Sequence, residues 1–162
     1  MHGEAVIGRA VAYGVADNTA GRSRLSPCDH VVAADDLDGG TCLPLDLVFC
    51  PCVFAATDDF STDLGSVRAA MLPSTRLVWV ESPSNPLLQI TDIAGVASIA
   101  RGAHAQLVVD NTFATPYLQR PLAQGADIVD HSTTKYIGGH AGVVGGGVLT
   151  NDPESHARQG AH

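Results

Sequence analysis

Apolar and polar residues fall in alternating blocks along this chain, and the blocks sharpen in its second half. Arg76-Leu77-Val78-Trp79-Val80 is a nearly continuous apolar run that stops at Glu81-Ser82-Pro83. Such a run is the pattern of a parallel strand buried on both faces. Asp92 stands at a helix N-cap position ahead of Ile93, Val96, Ile99 and Ala100, and Gly102 closes that helix. Gln106 to Val109 is a second apolar run, ending at Asp110-Asn111-Thr112. Thr115 to Ala123 reads as a short helix, with Pro116 in its first turn and Gly125 beyond its end. Asp127-Ile128-Val129 is a third strand that delivers His131-Ser132-Thr133-Thr134-Lys135. Strand and helix in alternation predict an α/β layout of the doubly wound kind.

The first half is less regular. His30-Val31-Val32-Ala33 is a short apolar run ending at Asp35-Asp36, and Leu45 to Phe54 is another, interrupted by Pro51. Thr62-Asp63 marks a helix start, with Leu64, Val67, Ala70 and Met71 on one face up to Pro73. In residues 1–27 no apolar period persists. Val6, Ile7, Val11 and Val15 have the spacing of one helical stripe, which Gly8 and Gly14 weaken. Gly138 to Gly147 is glycine-rich but follows a lysine and lacks the order of a nucleotide-binding loop, so it predicts tight turns at a domain edge.

Composition narrows the function classes. A chain of 162 residues suits one domain with a sizeable core, and 45% hydrophobic with 16% charged residues is a globular balance. A formal net charge of −8 argues against nucleic acid or an anionic membrane as partner. No apolar run has the length of a membrane span and the N-terminus lacks a signal-peptide pattern, so the expected compartment is cytoplasmic. The four cysteines (28, 42, 50 and 52) and seven histidines show no regular ligand spacing, and no metal site is expected.

Candidate chemistry centres on Lys135, the only lysine beside eight arginines. A lysine amine forms a stable Schiff base with an aldehyde cofactor such as pyridoxal 5'-phosphate. Ser132 and Thr134 lie within three positions before it, and glycines follow. Hydroxyls and open backbone N–H groups are what a phosphate requires. Against this stands the ordinary role of lysine as a solvated surface charge. Asp110 ends an apolar strand, where aspartate commonly caps a turn. A buried carboxylate there can equally face a cationic ring nitrogen. Glu81-Ser82-Pro83-Ser84-Asn85-Pro86 is a Pro-stiffened loop, either a plain turn or a support for a directed Asn85 hydrogen bond. Glu81, Asn85, Asp110, Thr112, Ser132 and Lys135 all fall at the carboxyl ends of predicted strands, where open α/β sheets bind ligands.

Three separated runs then resemble one family in order and spacing. They are Glu-Ser-Pro-Ser-Asn-Pro (81–86), the run from Val109-Asp110-Asn111-Thr112 through Gln119-Arg120-Pro121-Leu122, and Gly125-Ala126-Asp127-Ile128-Val129-Asp130-His131-Ser132-Thr133-Thr134-Lys135-Tyr136-Ile137-Gly138-Gly139-His140. The chain resembles the Cys/Met-metabolism family of pyridoxal-phosphate enzymes, which includes cystathionine γ-synthases, cystathionine lyases and methionine γ-lyases. The resemblance implies part of the fold-type I aminotransferase-like large domain, with a mostly parallel sheet and flanking helices. It implies Lys135 as the Schiff-base lysine, Asp110 as partner of the pyridinium nitrogen and Ser132 and Thr134 as phosphate contacts. Asn85 is implied near the phenolate oxygen, and Thr112 is included among the cofactor-binding residues. The implied chemistry is β- or γ-elimination, or γ-replacement, on a small sulfur amino acid, in a homo-oligomer.

Departures from the family pattern are also legible. Asp38 stands where the family has the tyrosine that stacks on the cofactor, and Gly142 where an aspartate is usual. The expected organisation is a poorly defined segment 1–27, a partial pyridoxal-phosphate domain 28–150 and a tail 151–162, without the C-terminal substrate domain. Two outcomes are therefore expected to compete. One is a cofactor domain with no turnover by these residues alone. The other is a remnant that folds or associates with relatives without catalysis.

Overall fold

The computed structural model describes residues 7–11, 25–26, 29–34, 53–57, 64–140 and 142–153. Its strands are β1 (Ile7–Val11), β2 (His30–Ala34), β3 (Val53–Thr57), β4 (Thr75–Glu81), β5 (Gln106–Asp110), β6 (Ile128–Ser132) and β7 (Gly146–Thr150). Helices α1 (Leu64–Ala70), α2 (Ile93–Gly102) and the single turn α3 (Thr115–Leu118) connect them. A 3₁₀ turn at Pro121–Gln124 and a π-helical turn at Thr133–Ile137 complete the list.

All seven strands join one sheet in the order β1-β7-β6-β5-β4-β2-β3. The pairings from β3 across to β6 are parallel, while β7 runs antiparallel to both β6 and β1. The centre is apolar on both faces: Val31, Val32, Val78, Val80, Leu107 and Val109 are inaccessible to solvent. That burial on two sides is why β4 and β5 read as unbroken apolar runs instead of alternating ones.

Helix α2 covers part of one face with Ile93, Val96, Ala97 and Ala100. The Asp92 side chain accepts from the Gly95 N–H at 3.0 Å, closing the first turn. Replacing Asp92 by alanine is expected to destabilise the chain by about 1 kcal/mol, read as a lowered urea midpoint with an unchanged slope. Gly125 follows the 3₁₀ turn at φ 102°, and a Cβ there would sit 3.0 Å from that of Ala97. This position therefore needs glycine for both conformation and space.

Several expectations are corrected here. Ile7 and Val11 belong to a strand, not a helical stripe, because pairing with β7 supplies backbone partners that a glycine-weakened helix would not hold. Val6 and Val15 lie outside the described residues. The helix expected over Thr115–Ala123 is divided into α3 and the 3₁₀ turn. Pro121 has no N–H to continue the helix, and Arg120 before it is extended at φ −127° and ψ 82°. Strand β6 starts one residue later than expected and runs on to Ser132. Asp127 is instead occupied at the strand entrance, where its carboxylate accepts from the Leu107 N–H at 2.7 Å. The glycine-rich run is not only turns, since Gly146 opens β7. Of the Leu45–Phe54 run only its end enters a described strand, β3. Asp38 with its neighbours 35–41, and the four cysteines, lie outside the described residues.

Candidate functional site

Glu81, Asp110 and Ser132 are the last residues of β4, β5 and β6. Glu81 lies beside Asp110, and Asp110 beside Asp130, in the sheet register. Register partners in a parallel sheet project to the same face, so the three carboxylates share one face at its carboxyl end.

The loops beyond those strands are tied together. Thr112 donates its N–H to Asp110 Oδ1 at 2.8 Å, and Thr112 Oγ1 accepts from the Ser132 N–H at 2.8 Å. Ser82 donates its N–H to the Asp110 carbonyl at 3.2 Å, and Asn111 its N–H to the Asp130 carbonyl at 2.9 Å. Gln119 donates from Nε2 to the Ser82 carbonyl at 3.0 Å and to Asn111 Oδ1 at 2.9 Å. Asn111 Nδ2 returns a bond to the Gln119 carbonyl at 3.0 Å. Three strand ends thus hold one another in fixed positions. Asn111 and Gln119 were not singled out by sequence reasoning. The available signal was a polar residue at the close of an otherwise apolar turn, Pro116-Tyr117-Leu118-Gln119.

Lys135 sits within the π-helical turn, closed by the Gly138 N–H donating to the Thr133 carbonyl at 2.8 Å. Its own backbone departs from helical geometry at φ −89° and ψ −120°, and the residue is exposed. Gly145 clamps this turn from the β7 side. Its carbonyl accepts from the Thr133 and Thr134 N–H groups, and its N–H donates to Thr134 Oγ1 at 3.0 Å. The Thr134 hydroxyl is therefore engaged with protein backbone. Tyr136 meets Phe113 edge-on at 6.1 Å between ring centres, linking the lysine turn to the loop after β5. A Cβ on Gly138 would lie 2.6 Å from the Thr133 carbonyl oxygen, so the turn has no room for a side chain there.

The structure brings Asp110, Thr112 and Ser132 into one bonded chain and places Lys135 three residues past it. Asn85 is half-buried in the loop after β4, four residues beyond the strand end. Among the described residues, neither Asn85 nor the Lys135 amine hydrogen-bonds to that chain. Gly142, in place of the family's usual aspartate, is exposed with open space around it.

Two buried imidazoles frame the sheet. His30 Nδ1 is 2.7 Å from Thr75 Oγ1, and His131 lies under the loop carrying Asn111. Burial pushes both below the ordinary imidazole value of 6.5, with a backbone hydrogen bond at Asn111 acting the other way on His131. As pH falls through 6.5 the unfolded chain takes up protons that the folded chain refuses, so these groups lower stability until the depressed folded values are reached. The chain is expected to have a lower urea midpoint at pH 5.5 than at pH 7.5. The His30→Gln variant should recover part of the difference, and an unchanged pH response would contradict the assignment to His30.

A parallel-centred α/β sheet with a lysine turn and a carboxylate at neighbouring strand ends belongs to the open-sheet α/β class, in which ligands bind at the carboxyl ends of the strands. The comparisons make the class specific. The family model described as "Cys/Met metabolism PLP-dependent enzyme" matches residues 3–161, and this chain belongs to that family. It is 51% identical over 152 residues to a cystathionine gamma-synthase of Mycobacterium bovis, covering 93% of this chain and 39% of that protein. It is 46% identical over 151 residues to a cystathionine beta-lyase of Lactococcus lactis subsp. cremoris, covering 92% and 39%. Among solved structures, metB from Corynebacterium glutamicum superposes with a TM-score of 0.89 at 48% identity, over 94% of this chain and 40% of that one. Cystathionine gamma-lyase from Lactobacillus plantarum, complexed with L-serine, gives 0.89 at 42% with the same coverage. The fold is that of the fold-type I pyridoxal-phosphate enzymes, and the chain spans about two fifths of the length of the relatives it matches.

Proposed function

We propose that this chain carries the cofactor-binding part of a pyridoxal 5'-phosphate enzyme acting on small sulfur amino acids such as cystathionine, O-acylhomoserine or methionine. The observation that carries this reading is the Asp110–Thr112–Ser132 hydrogen-bonded chain, with Lys135 on the turn that follows it. The donor set fits the group: an amine for the aldehyde, a carboxylate for the ring nitrogen and the Ser132 hydroxyl for the phosphate, while the N–H groups of Ser132, Thr133 and Thr134 are already donated within the protein. When bound, the cofactor supplies an electron sink for a carbanion at the substrate α-carbon.

The residues divide the work. Lys135 would supply the amine that holds the aldehyde and would move the substrate α-proton as base and then acid. Asp110, oriented by the Thr112 N–H, keeps a proton on the ring nitrogen. Ser132, with Thr134 where its hydroxyl turns from Gly145, takes the phosphate. Asn85 addresses the phenolate oxygen. Elimination or replacement at the β- or γ-carbon would be the chemistry these residues serve, with the family's assembly as a homo-oligomer in the cytoplasm. No helix among the described residues is long and apolar enough to cross a membrane.

A second reading, a catalytically inactive remnant that folds or associates with relatives without turnover, is favoured by the double engagement of the Thr134 hydroxyl, a proposed phosphate contact, with Gly145. One experiment separates the two. Purified chain is loaded with pyridoxal phosphate, its visible absorption is recorded, and ketoacid release from cystathionine is then assayed. A Lys135-dependent band without ketoacid supports the first reading, with no turnover by these residues alone, and Lys135-dependent ketoacid would overturn that absence of turnover. No difference between the parent and Lys135→Ala in either signal supports the second. Asp110→Asn is expected to weaken cofactor affinity about tenfold or more by removing a charge-assisted bond, measured by titrating the band.

A further inference from the structure

Asn111 stands between Asp110 and Thr112, so whatever fixes its backbone also fixes theirs. It is inaccessible to solvent. Its N–H donates to the Asp130 carbonyl and its carbonyl accepts from the Thr115 N–H, both at 2.9 Å. The His131 ring also bonds the Asn111 backbone. Both ends of the Asn111 side-chain amide bond a single residue, Gln119. The Gln119 carbonyl can only accept, which sets Nδ2 of Asn111 toward it and Oδ1 toward Gln119 Nε2.

The residue type at 119 suits this task. Its Nε2 carries two protons and meets two oxygens, the Ser82 carbonyl at 3.0 Å and Asn111 Oδ1 at 2.9 Å. One nitrogen therefore joins the loop after β4 to the loop after β5. An ionised carboxylate in its place would only accept, and an apolar side chain would leave both oxygens without this donor. Backbone strain marks the segment that delivers Gln119. Thr115 has φ 62°, in the left-handed region that β-branched residues rarely adopt. Its N–H reaches back to Asn111, and its carbonyl accepts from the Gln119 N–H at 3.1 Å. Thr115 thus sits at the reversal that lets Asn111 and Gln119 face each other. Such a conformation persists where the surroundings over-determine it.

We propose that Gln119 is a positioning residue for the cofactor site. Acting through Asn111, it sets the Asp110 carboxylate against the Thr112 N–H. Ser132 follows, because its N–H donates to Thr112 Oγ1. This role rests on the cofactor reading above, and it adds a residue that touches no cofactor in that reading.

The test compares the full chain with Gln119→Leu and Gln119→Glu. Amide hydrogen exchange is measured without cofactor, and pyridoxal phosphate is then titrated at pH 8 while the visible band is followed. Gln119→Leu should exchange about tenfold faster at Thr112 and Ser132, relative to Val108 within β5, and bind the cofactor about tenfold more weakly. Asp92→Ala, which weakens the fold from a distant helix cap, should leave that exchange ratio and the affinity at parent values. In Gln119→Glu the new carboxyl donates only while protonated. Facing two acceptor oxygens, it holds its proton above the ordinary glutamate pKa of about 4.3. Its Thr112 exchange, divided by that of the parent at the same pH, should therefore rise several-fold from pH 5 to pH 8. Asp110, Asp130, His131 and Arg120 near the pair are common to both proteins. Should Gln119→Leu not fold, Gln119→Glu at the two pH values carries the same comparison. Unchanged exchange in the folded variants sinks the proposal, as does faster exchange with unchanged cofactor affinity. A parent without any Lys135-dependent band would instead sink the cofactor reading, and this use of Gln119 with it, even where the exchange ratios come out as expected.

Discussion

Lys135→Ala is expected to remove the visible absorption band that pyridoxal phosphate acquires on joining a lysine, down to the background from the terminal amine. The expectation is unusually clean because Lys135 is the only lysine in the chain. The other amine available is the chain's terminal one, whose ordinary pKa of about 7.7–8.0 leaves it partly neutral near pH 8. It can therefore contribute a background that is the same in parent and variant. Lys135 is set apart by position: its turn is fixed by Gly145 on one side and by the Tyr136–Phe113 contact on the other. Borohydride reduction of the loaded parent should add the cofactor mass to the peptide containing Lys135. A band of equal height in the variant, or mass on the terminal peptide alone, would refute the assignment.

Trp79→Ala is expected to cost about 3–5 kcal/mol, a large share of the roughly 5–15 kcal/mol that holds a typical domain together. Trp79 is 1% exposed on the central strand β4, paired in register with Val108 and Ala33. Its removal leaves a large void between layers that cannot close without displacing the strands. Trp79→Phe should cost much less. The indole Nε1 has no hydrogen-bond partner among the described residues, so phenylalanine keeps most of the apolar contact and discards an unsatisfied N–H. Urea denaturation of the three proteins decides the matter, and equal losses for Phe and Ala would contradict the assignment of the cost to the lost volume.

The part of this fold that could be read from residue order is the part stabilised locally or by uniform burial. Asp92 caps α2 as its spacing predicted, and the runs at 76–80 and 106–109 became β4 and β5 because both faces are covered. What escaped reading depends on partners distant in sequence. β7 is glycine-led, with little β propensity of its own, and exists because β6 and β1 supply its ladder. α3 was overextended because the apolar period continues past Pro121 while the backbone cannot. At the site, Asp110, Thr112 and Ser132 were legible as polar residues at strand ends. The roles of Asn111 and Gln119 were not, since their bonds run between loops whose proximity only the sheet creates.

Ile7 at the start of β1 pairs with Thr150 at the end of β7, so the sheet is laced at one margin by segments far apart in sequence. During synthesis β1 leaves the ribosome before the central strands and must wait for β7, its neighbour among the described residues. The same late strand follows Gly145, which steadies the turn bearing Lys135. Closing so long a loop is slow, and contacts of this separation form late in folding. The nascent chain therefore acquires its central strands well before the turn bearing Lys135 is held in place, and a cofactor anchored there, if the proposed role holds, would report that β7 has docked.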